Sequence, residues 1–179
     1  QMLEKYKFPK EYFLYVGSLI ERKNLLGILQ AMVQLKGKVD LPLLVVGGGS
    51  SYKKKVIDFI TANGLQNRVI LVNDTVKFAY NDLPLLYQGA KALIYPSFFE
   101  GFGIPILEAL WSRTPVITSL GSCFGETAGE AALYIDPAKA DTIANAMEDV
   151  VNKAALMQEL KAKGIIQAES SQEINVLPK

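Results

Sequence analysis

Apolar residues fall into six short, nearly unbroken runs, separated by stretches in which they recur every three or four positions. The runs are 12–16, 42–46, 68–72, 91–95, 115–118 and 131–135, rich in β-branched and aromatic residues and bounded by Gly, Pro, Asn or Asp. Without polar alternation they read as strands buried on both faces, the pattern of a parallel sheet. Between them lie helical spacings. Leu25, Ile28, Leu29, Met32 and Val33 follow Asn24, a good N-cap. Residues 52–62 form a second helix ended by Asn63-Gly64, and Leu83–Gly89 and Ile104–Trp111 are shorter ones. Asp136-Pro137 opens a long helix with Ile143, Ala146, Met147, Val150 and Val151 on one face, and 156–163 continues as helix. Strands alternating with helices predict an α/β, Rossmann-like three-layer domain: a parallel sheet of about six strands, covered on both faces and joined by right-handed crossovers.

Residues 1–10, polar with Pro9 near the end, read as a linker; 11–168 form the domain; 169–179, polar and aperiodic, read as an unstructured tail. Gln1 cannot be a translation start, so the chain is expected to be a piece of a longer protein or a processed product. At 179 residues with mean hydropathy +0.18 it is large enough for one substantial core. A net charge of +1 carries no footprint for nucleic acid or anionic membrane. No run approaches the roughly 20 apolar residues of a membrane helix. The single cysteine, Cys123, cannot form an internal disulfide and reads as an inert small residue, in keeping with a reducing cytoplasm. Histidine is absent, which removes Ser-His-Asp and Cys-His nucleophile pairs and imidazole bases. Chemistry must rest on carboxylates, cations and backbone dipoles.

In such a sheet ligands bind beyond the carboxyl ends of the strands. Four unusual loops are expected there: 17–24, 47–51, 72–74 and 97–103. The last feeds Ile104–Trp111 with Pro105 in its first turn, so several backbone N–H groups and the helix dipole face whatever lies in front. That favours an anion. Glu100 on the loop and Glu108 about one turn into the helix would be repelled by bound phosphate, so they suit hydroxyl groups, which sugars supply. Arg22 and Lys23 in the first loop read either as solvated charges or as a pair neutralising a diphosphate. Gly47-Gly-Gly is a turn or a ligand approach, but with Tyr52 in place of the third glycine it is not G-x-G-x-x-G. No Walker-A lysine pattern occurs. Phe98, Phe102 and Trp111 read as packing residues in preference to ligand stackers, and Glu126 as a cap or an ion-pair member.

Glu100-Gly-Phe-Gly-Ile-Pro-Ile-Leu-Glu108, preceded by Tyr95-Pro-Ser and followed by Ala109-Leu and Thr114-Pro-Val-Ile-Thr, resembles the E-x7-E motif of the group 1 (family 4) retaining glycosyltransferases. The resemblance runs from Tyr12 to about Gly164. It implies the C-terminal, donor-binding half of a GT-B enzyme, a nucleotide-sugar-binding domain whose missing N-terminal half binds an acceptor glycan or lipid-linked sugar. Carried over residue by residue, Arg22 and Lys23 would hold the donor diphosphate, and Glu100 the sugar hydroxyls. The amides of Gly101, Phe102 and Gly103 would contact sugar and phosphate, with Ile104 and Leu107 beside them. Glu108 would hold the ribose. Gly17 and Ser18 would line the diphosphate site, and Gly47, Val72 and Asn73 would lie near the base. Residues 122–129 match the loop and glutamate that usually follow the fifth strand. Two departures stand out: Ser18 where many relatives carry arginine, and Asn73-Asp74 where glycine is usual.

The implied reaction is a retaining transfer from a GDP- or UDP-linked sugar, mannose among the candidates, in polysaccharide or glycoconjugate assembly. It would use neither metal nor cofactor, because fixed cations and the helix N-terminus stabilise the departing diphosphate. The expected location is cytoplasmic, with any peripheral attachment to the inner membrane made through the missing half. Two other classes stay open: a sugar-nucleotide epimerase or phosphorylase on a similar scaffold, and a non-catalytic sugar-nucleotide or protein-binding module.

Overall fold

The computed structural model describes residues 2–174. Six strands, β1 (Phe13–Val16), β2 (Leu43–Val46), β3 (Val69–Leu71), β4 (Ala92–Tyr95), β5 (Val116–Ser119) and β6 (Ala132–Ile135), form one sheet in the order β3-β2-β1-β4-β5-β6. Every pairing is parallel. The chain builds outward from β1 to β3, then returns to the middle to lay β4 beside β1. That reversal opens a crevice at the carboxyl ends of β1 and β4, the switch point at which ligands bind in open α/β sheets.

Strand side chains alternate between two apolar layers, which is why the runs are almost entirely apolar; the buried hydroxyls of Thr118 and Ser119 in β5 donate to the Tyr95 and Ser97 carbonyls. Phe13, Tyr15, Leu43, Val45 and Ile94 meet α2 (Leu25–Gln34), α3 (Ser51–Ala62) and α8 (Ala140–Asn152). Leu14, Leu44, Val46, Leu93 and Tyr95 meet α5 (Leu83–Gly89), α6 (Ile104–Trp111) and α7 (Phe124–Ala128). The long α9 (Ala154–Ile174) serves both, with Met157 and Leu160 in the first layer and Ala168 in the second.

Several local readings change. Part of the segment read as a linker is α1 (Met2–Tyr6), and it belongs to the domain: Tyr6 and Phe8 are buried, and the Tyr6 hydroxyl donates to Asp82 at 2.5 Å. The tail reading fails as far as Ile174, because α9 continues, with Ala168 fully buried and Gln167 donating to the Glu126 carbonyl. Residues 175–179 of that tail lie outside the described residues. The loop after β3 contains one helical turn, α4 (Val72–Thr75), and α8 begins at Ala140, not at Asp136. Asp136 makes a turn first, accepting from the Ala138 amide.

Candidate functional site

The β1 tip ends at Gly17, and the chain then makes a single 3-10 turn, Glu21–Lys23, that carries both cations. Asn24 follows at φ 60°, at the N-cap position but without a side-chain cap bond. Its side-chain amide instead donates to the carbonyls of Pro96 (3.0 Å) and Pro137 (2.8 Å), fastening the β1 loop to the loops after β4 and β6. The Phe98 amide donates to the Arg22 carbonyl at 2.9 Å, a second tie between the loops. The turn that carries Arg22 and Lys23 is therefore fixed against the crevice by hydrogen bonds involving the main chain, independently of the two charges.

Glu100 lies at the centre. Its two carboxylate oxygens meet Arg22 Nη1 at 2.7 Å and Lys23 Nζ at 2.8 Å, and the Ser97 hydroxyl donates at 3.0 Å. Lys23 also donates to the Tyr95 hydroxyl at 3.3 Å. Partial burial pushes the Glu100 carboxyl up, but the Lys23, Arg22 and Tyr95 hydrogen bonds outweigh it and hold the group below the usual carboxylate range. Burial, reinforced by the Glu100 charge, raises the Tyr95 phenol above its ordinary value, so it stays protonated.

The rest of the loop is pinned from β5 and α7. The Glu100 amide donates to the Ser122 hydroxyl, which donates to the Glu100 carbonyl at 3.0 Å. Thr127 donates to the Phe102 carbonyl at 2.7 Å, and Ser119 to the Ser97 carbonyl at 2.6 Å. Gly103, at φ 82°, is the residue before α6, so the first-turn amides of a helix with Pro105 in that turn face the crevice. Sequence reasoning missed Ser97, Ser119 and Thr127 as positioning residues. Short hydroxyl side chains beside glycines were their only mark.

Glu108 sits one turn further along α6 and faces away from the cations, into a cavity of about 380 Å³ with Tyr80, Leu83, Pro84 and Trp111 in its walls. The Tyr87 hydroxyl donates to Glu108 Oε2 at 2.6 Å. Burial first, and then that carboxylate, keep the Tyr87 phenol well above its ordinary pKa.

At the next tip Gly47, φ 148°, runs against β1: a Cβ there would stand 1.9 Å from the Gly17 carbonyl oxygen. Its amide donates to Asn73 Oδ1 at 2.9 Å, so Asn73 bridges the β2 and β3 tips. Val72 is fully buried, which leaves only its backbone for a ligand. Leu107 packs against the second apolar layer, whereas Ile104 and Ser18 are exposed at the crevice. Phe98, Phe102 and Trp111 are 47%, 51% and 43% exposed, so each is only partly packed among the described residues. Arg22, Lys23, Glu100, Gly101, Phe102 and Gly103 thus gather at one point, with Gly17 and Ser18 beside them. Glu108 and the Gly47–Asn73 pair flank that point.

The family model for glycosyl transferases group 1 matches residues 3–167. Over 171 residues the chain is 32% identical to O-antigen chain mannosyltransferase B of Escherichia coli, covering 94% of this chain and 44% of that protein. Over 131 residues it is 34% identical to O-antigen chain mannosyltransferase RfbU of Salmonella typhimurium, covering 73% of this chain and 36% of that protein. The chain therefore spans less than half the length of these relatives. Among solved structures, the C-terminal domain of the group 1 protein LpcC from Francisella tularensis superposes with a TM-score of 0.80 at 21% identity, covering 95% of this chain and 90% of that one. HepE of Anabaena, in complex with UDP and glucose, gives 0.78 at 18% identity, covering 98% and 51%. Both likenesses concern the fold.

Proposed function

Because the chain belongs to the group 1 glycosyl transferases, we propose that it is the donor-binding part of a retaining glycosyltransferase that moves a sugar from a nucleoside diphosphate to an acceptor glycan or lipid-linked sugar. The observation that carries this reading is the convergence of Arg22, Lys23 and Glu100 in front of α6 at the sheet's switch point. Two cations and a helix N-terminus suit a diphosphate, and a carboxylate beside them suits the hydroxyls of the attached sugar. The names of the two relatives favour a mannosyl donor, and the donor nucleotide in this reading is GDP or UDP.

In this reading the bond between the anomeric carbon and the diphosphate oxygen breaks, and its electron pair stays on the phosphate. Arg22, Lys23 and the α6 amides stabilise that growing charge, where one preorganised donor is worth about 3 kcal/mol. The acceptor hydroxyl attacks the same face and gives its proton to the departing phosphate. Glu100 orients the sugar; it is not the nucleophile. Arg22 and Lys23 supply the positive charge that a divalent metal would otherwise bring, so the proposed reaction needs neither metal nor cofactor.

Calorimetric titration with GDP, UDP and ADP tests the site. Lys23→Ala and Glu108→Ala should each weaken nucleotide binding at least tenfold, about 1.4 kcal/mol. Unchanged affinity in both variants would sink the assignment. A chain that binds nucleotide normally, yet belongs to a full-length protein inactive in transfer, would be a binding module.

A further inference from the structure

Residues 76–82 follow α4 without joining a strand, and they end in a single 3-10 turn, Tyr80–Asp82. The turn presents Tyr80 to the cavity that Glu108 faces and hands the chain to Leu83, another wall of that cavity, at the start of α5. Most of the stretch from 73 to 81 is exposed. A segment with so little buried apolar surface lies at the low end of local stability, so its position must be fixed from outside.

Tyr6 of α1 does this. Its hydroxyl accepts from the Ala79 amide at 3.2 Å and donates to Asp82 Oδ2 at 2.5 Å, so one oxygen joins the residue before the turn to the last residue in it. Lys5 donates to the same carboxylate oxygen at 2.8 Å, and the hydrogen bonds from Lys5 and Tyr6 hold the Asp82 carboxyl below the usual carboxylate range. The buried Tyr6 ring continues the attachment. Its centroid lies 5.3 Å from that of Phe78, whose ring stands edge-on to Tyr80 at 5.9 Å. We propose that Tyr6 and Asp82 are positioning residues for nucleotide binding: through them α1 fixes the turn that carries Tyr80 relative to Glu108 in the same cavity. The proposal rests on the reading above, in which Glu108 takes the nucleoside end of the donor, and neither positioning residue lines the cavity itself.

Packing alone does not account for the arrangement. A phenylalanine at position 6 would supply the same ring contacts to Phe8 and Phe78. The hydroxyl adds a charge-assisted bond, which is shorter, stronger and directional. Asp82 points the same way. It stands at the N-cap position of α5, where a carboxylate ordinarily accepts from the first helical amides, yet its side chain makes no cap bond and is turned to α1 instead. The turn is then held from two sides, because Asn73 Nδ2 donates to the Tyr80 hydroxyl at 3.0 Å from the β3 tip. Coupling between sites is reciprocal, so a turn that must be in place before nucleotide binds is stabilised by nucleotide in return.

Calorimetry on the full chain with GDP, UDP and inorganic pyrophosphate reads the effect. Tyr6→Phe, which keeps the ring, and Asp82→Ala should each weaken GDP and UDP binding about fivefold or more while leaving pyrophosphate within about twofold, because the diphosphate site lies on other loops. Asp82→Asn still accepts from Tyr6 and should stay within about twofold of wild type, since the Lys5 ion pair it gives up is largely exposed and worth little. In the wild-type chain, saturating GDP should slow hydrogen exchange of the Ala79 amide about fivefold or more, and pyrophosphate at equal saturation should not. That measurement depends on no variant being folded. Unchanged GDP affinity in Tyr6→Phe, an equal loss of GDP and pyrophosphate, or Asp82→Asn falling as far as Asp82→Ala would reduce α1 to packing and overturn the proposal. An Ala79 amide indifferent to GDP would overturn it too. A wild-type chain that binds neither GDP nor pyrophosphate would instead remove the functional reading itself, and this one with it.

Discussion

Glu100 occupies the two cations that a donor diphosphate would need. Its carboxylate takes Arg22 at 2.7 Å and Lys23 at 2.8 Å, while Ser97 holds it from the other side. An incoming phosphate must therefore displace a carboxylate, and the freed Glu100 is then beside the sugar whose hydroxyls it is proposed to bind. Removing its charge should separate the two roles. Glu100→Gln should bind inorganic pyrophosphate on the order of tenfold more tightly, because the competing anion is gone, yet bind the sugar nucleotide no better or worse. Pyrophosphate affinity that falls in this variant would show that Glu100 organises the cations and does not compete for them. The depressed carboxyl pKa adds a pH signature with a definite sign. Its contribution to stability is fully present above the unfolded carboxyl value of about 4.3 and is lost as pH falls through the lower folded value. Acid unfolding followed by circular dichroism should therefore show a steeper loss of stability below about pH 4.3 in wild type than in Glu100→Gln, with the curves parallel above it. At this scale the cations, the two glutamates and the loop glycines were legible in the sequence. The ion pairing among them was not, because residues 22 and 100 meet only through the strand order.

Between elements, close backbone contact sets the site as firmly as charge does. The β1 and β2 tips touch at Gly17 and Gly47, where a Cβ on Gly47 would stand 1.9 Å from the Gly17 carbonyl oxygen. Gly17 in turn lies under the Lys23 stem, its own hypothetical Cβ 3.0 Å from Lys23 Cδ. Gly47→Ala must push the tips apart and accept a positive φ. Backbone strain of this kind costs about 1–3 kcal/mol, so the melting temperature should drop by roughly 2 °C or more. Nucleotide affinity should fall as well, since Lys23 moves with Gly17. A variant melting within a degree of wild type would mean that the tips rearrange freely. Glycines following a strand signalled a turn or a ligand approach; the structure shows that they admit a neighbouring strand. Asn24 teaches the same lesson. Its side chain looks like a local cap in sequence, but its amide spans two loops at Pro96 and Pro137. Local pattern identifies the residue type, and the tertiary contact decides its work.

For the whole molecule, six apolar runs and the helices between them were enough to state a parallel sheet, because strands buried on both faces are almost entirely apolar. The ends were harder to read. Met2–Tyr6 is too short for a periodic signal, and α9 from Glu169 onward is polar; the first is tied to Asp82, and the second continues a helix whose Gln167 is tied to α7. The exposed rings told a similar story, since composition cannot distinguish a buried Phe102 from one at a site's rim. Phe98, Phe99, Phe102, Ile104 and Leu120 are uncovered in the segments around the cation cluster, and the Arg22 side chain is 31% exposed. Water therefore reaches the point at which leaving-group charge would be stabilised, and electrostatic stabilisation is weakest in such a setting. The relatives of which this chain covers less than half have more chain with which to cover that face. The 179-residue chain should therefore bind nucleoside diphosphate but transfer no sugar when mixed with GDP-mannose and a lipid-linked acceptor, assayed by released GDP and by labelled product. Product formed by this chain alone would mean that one half suffices to exclude water and position both substrates. Binding without turnover would assign those two tasks to the remainder of the enzyme.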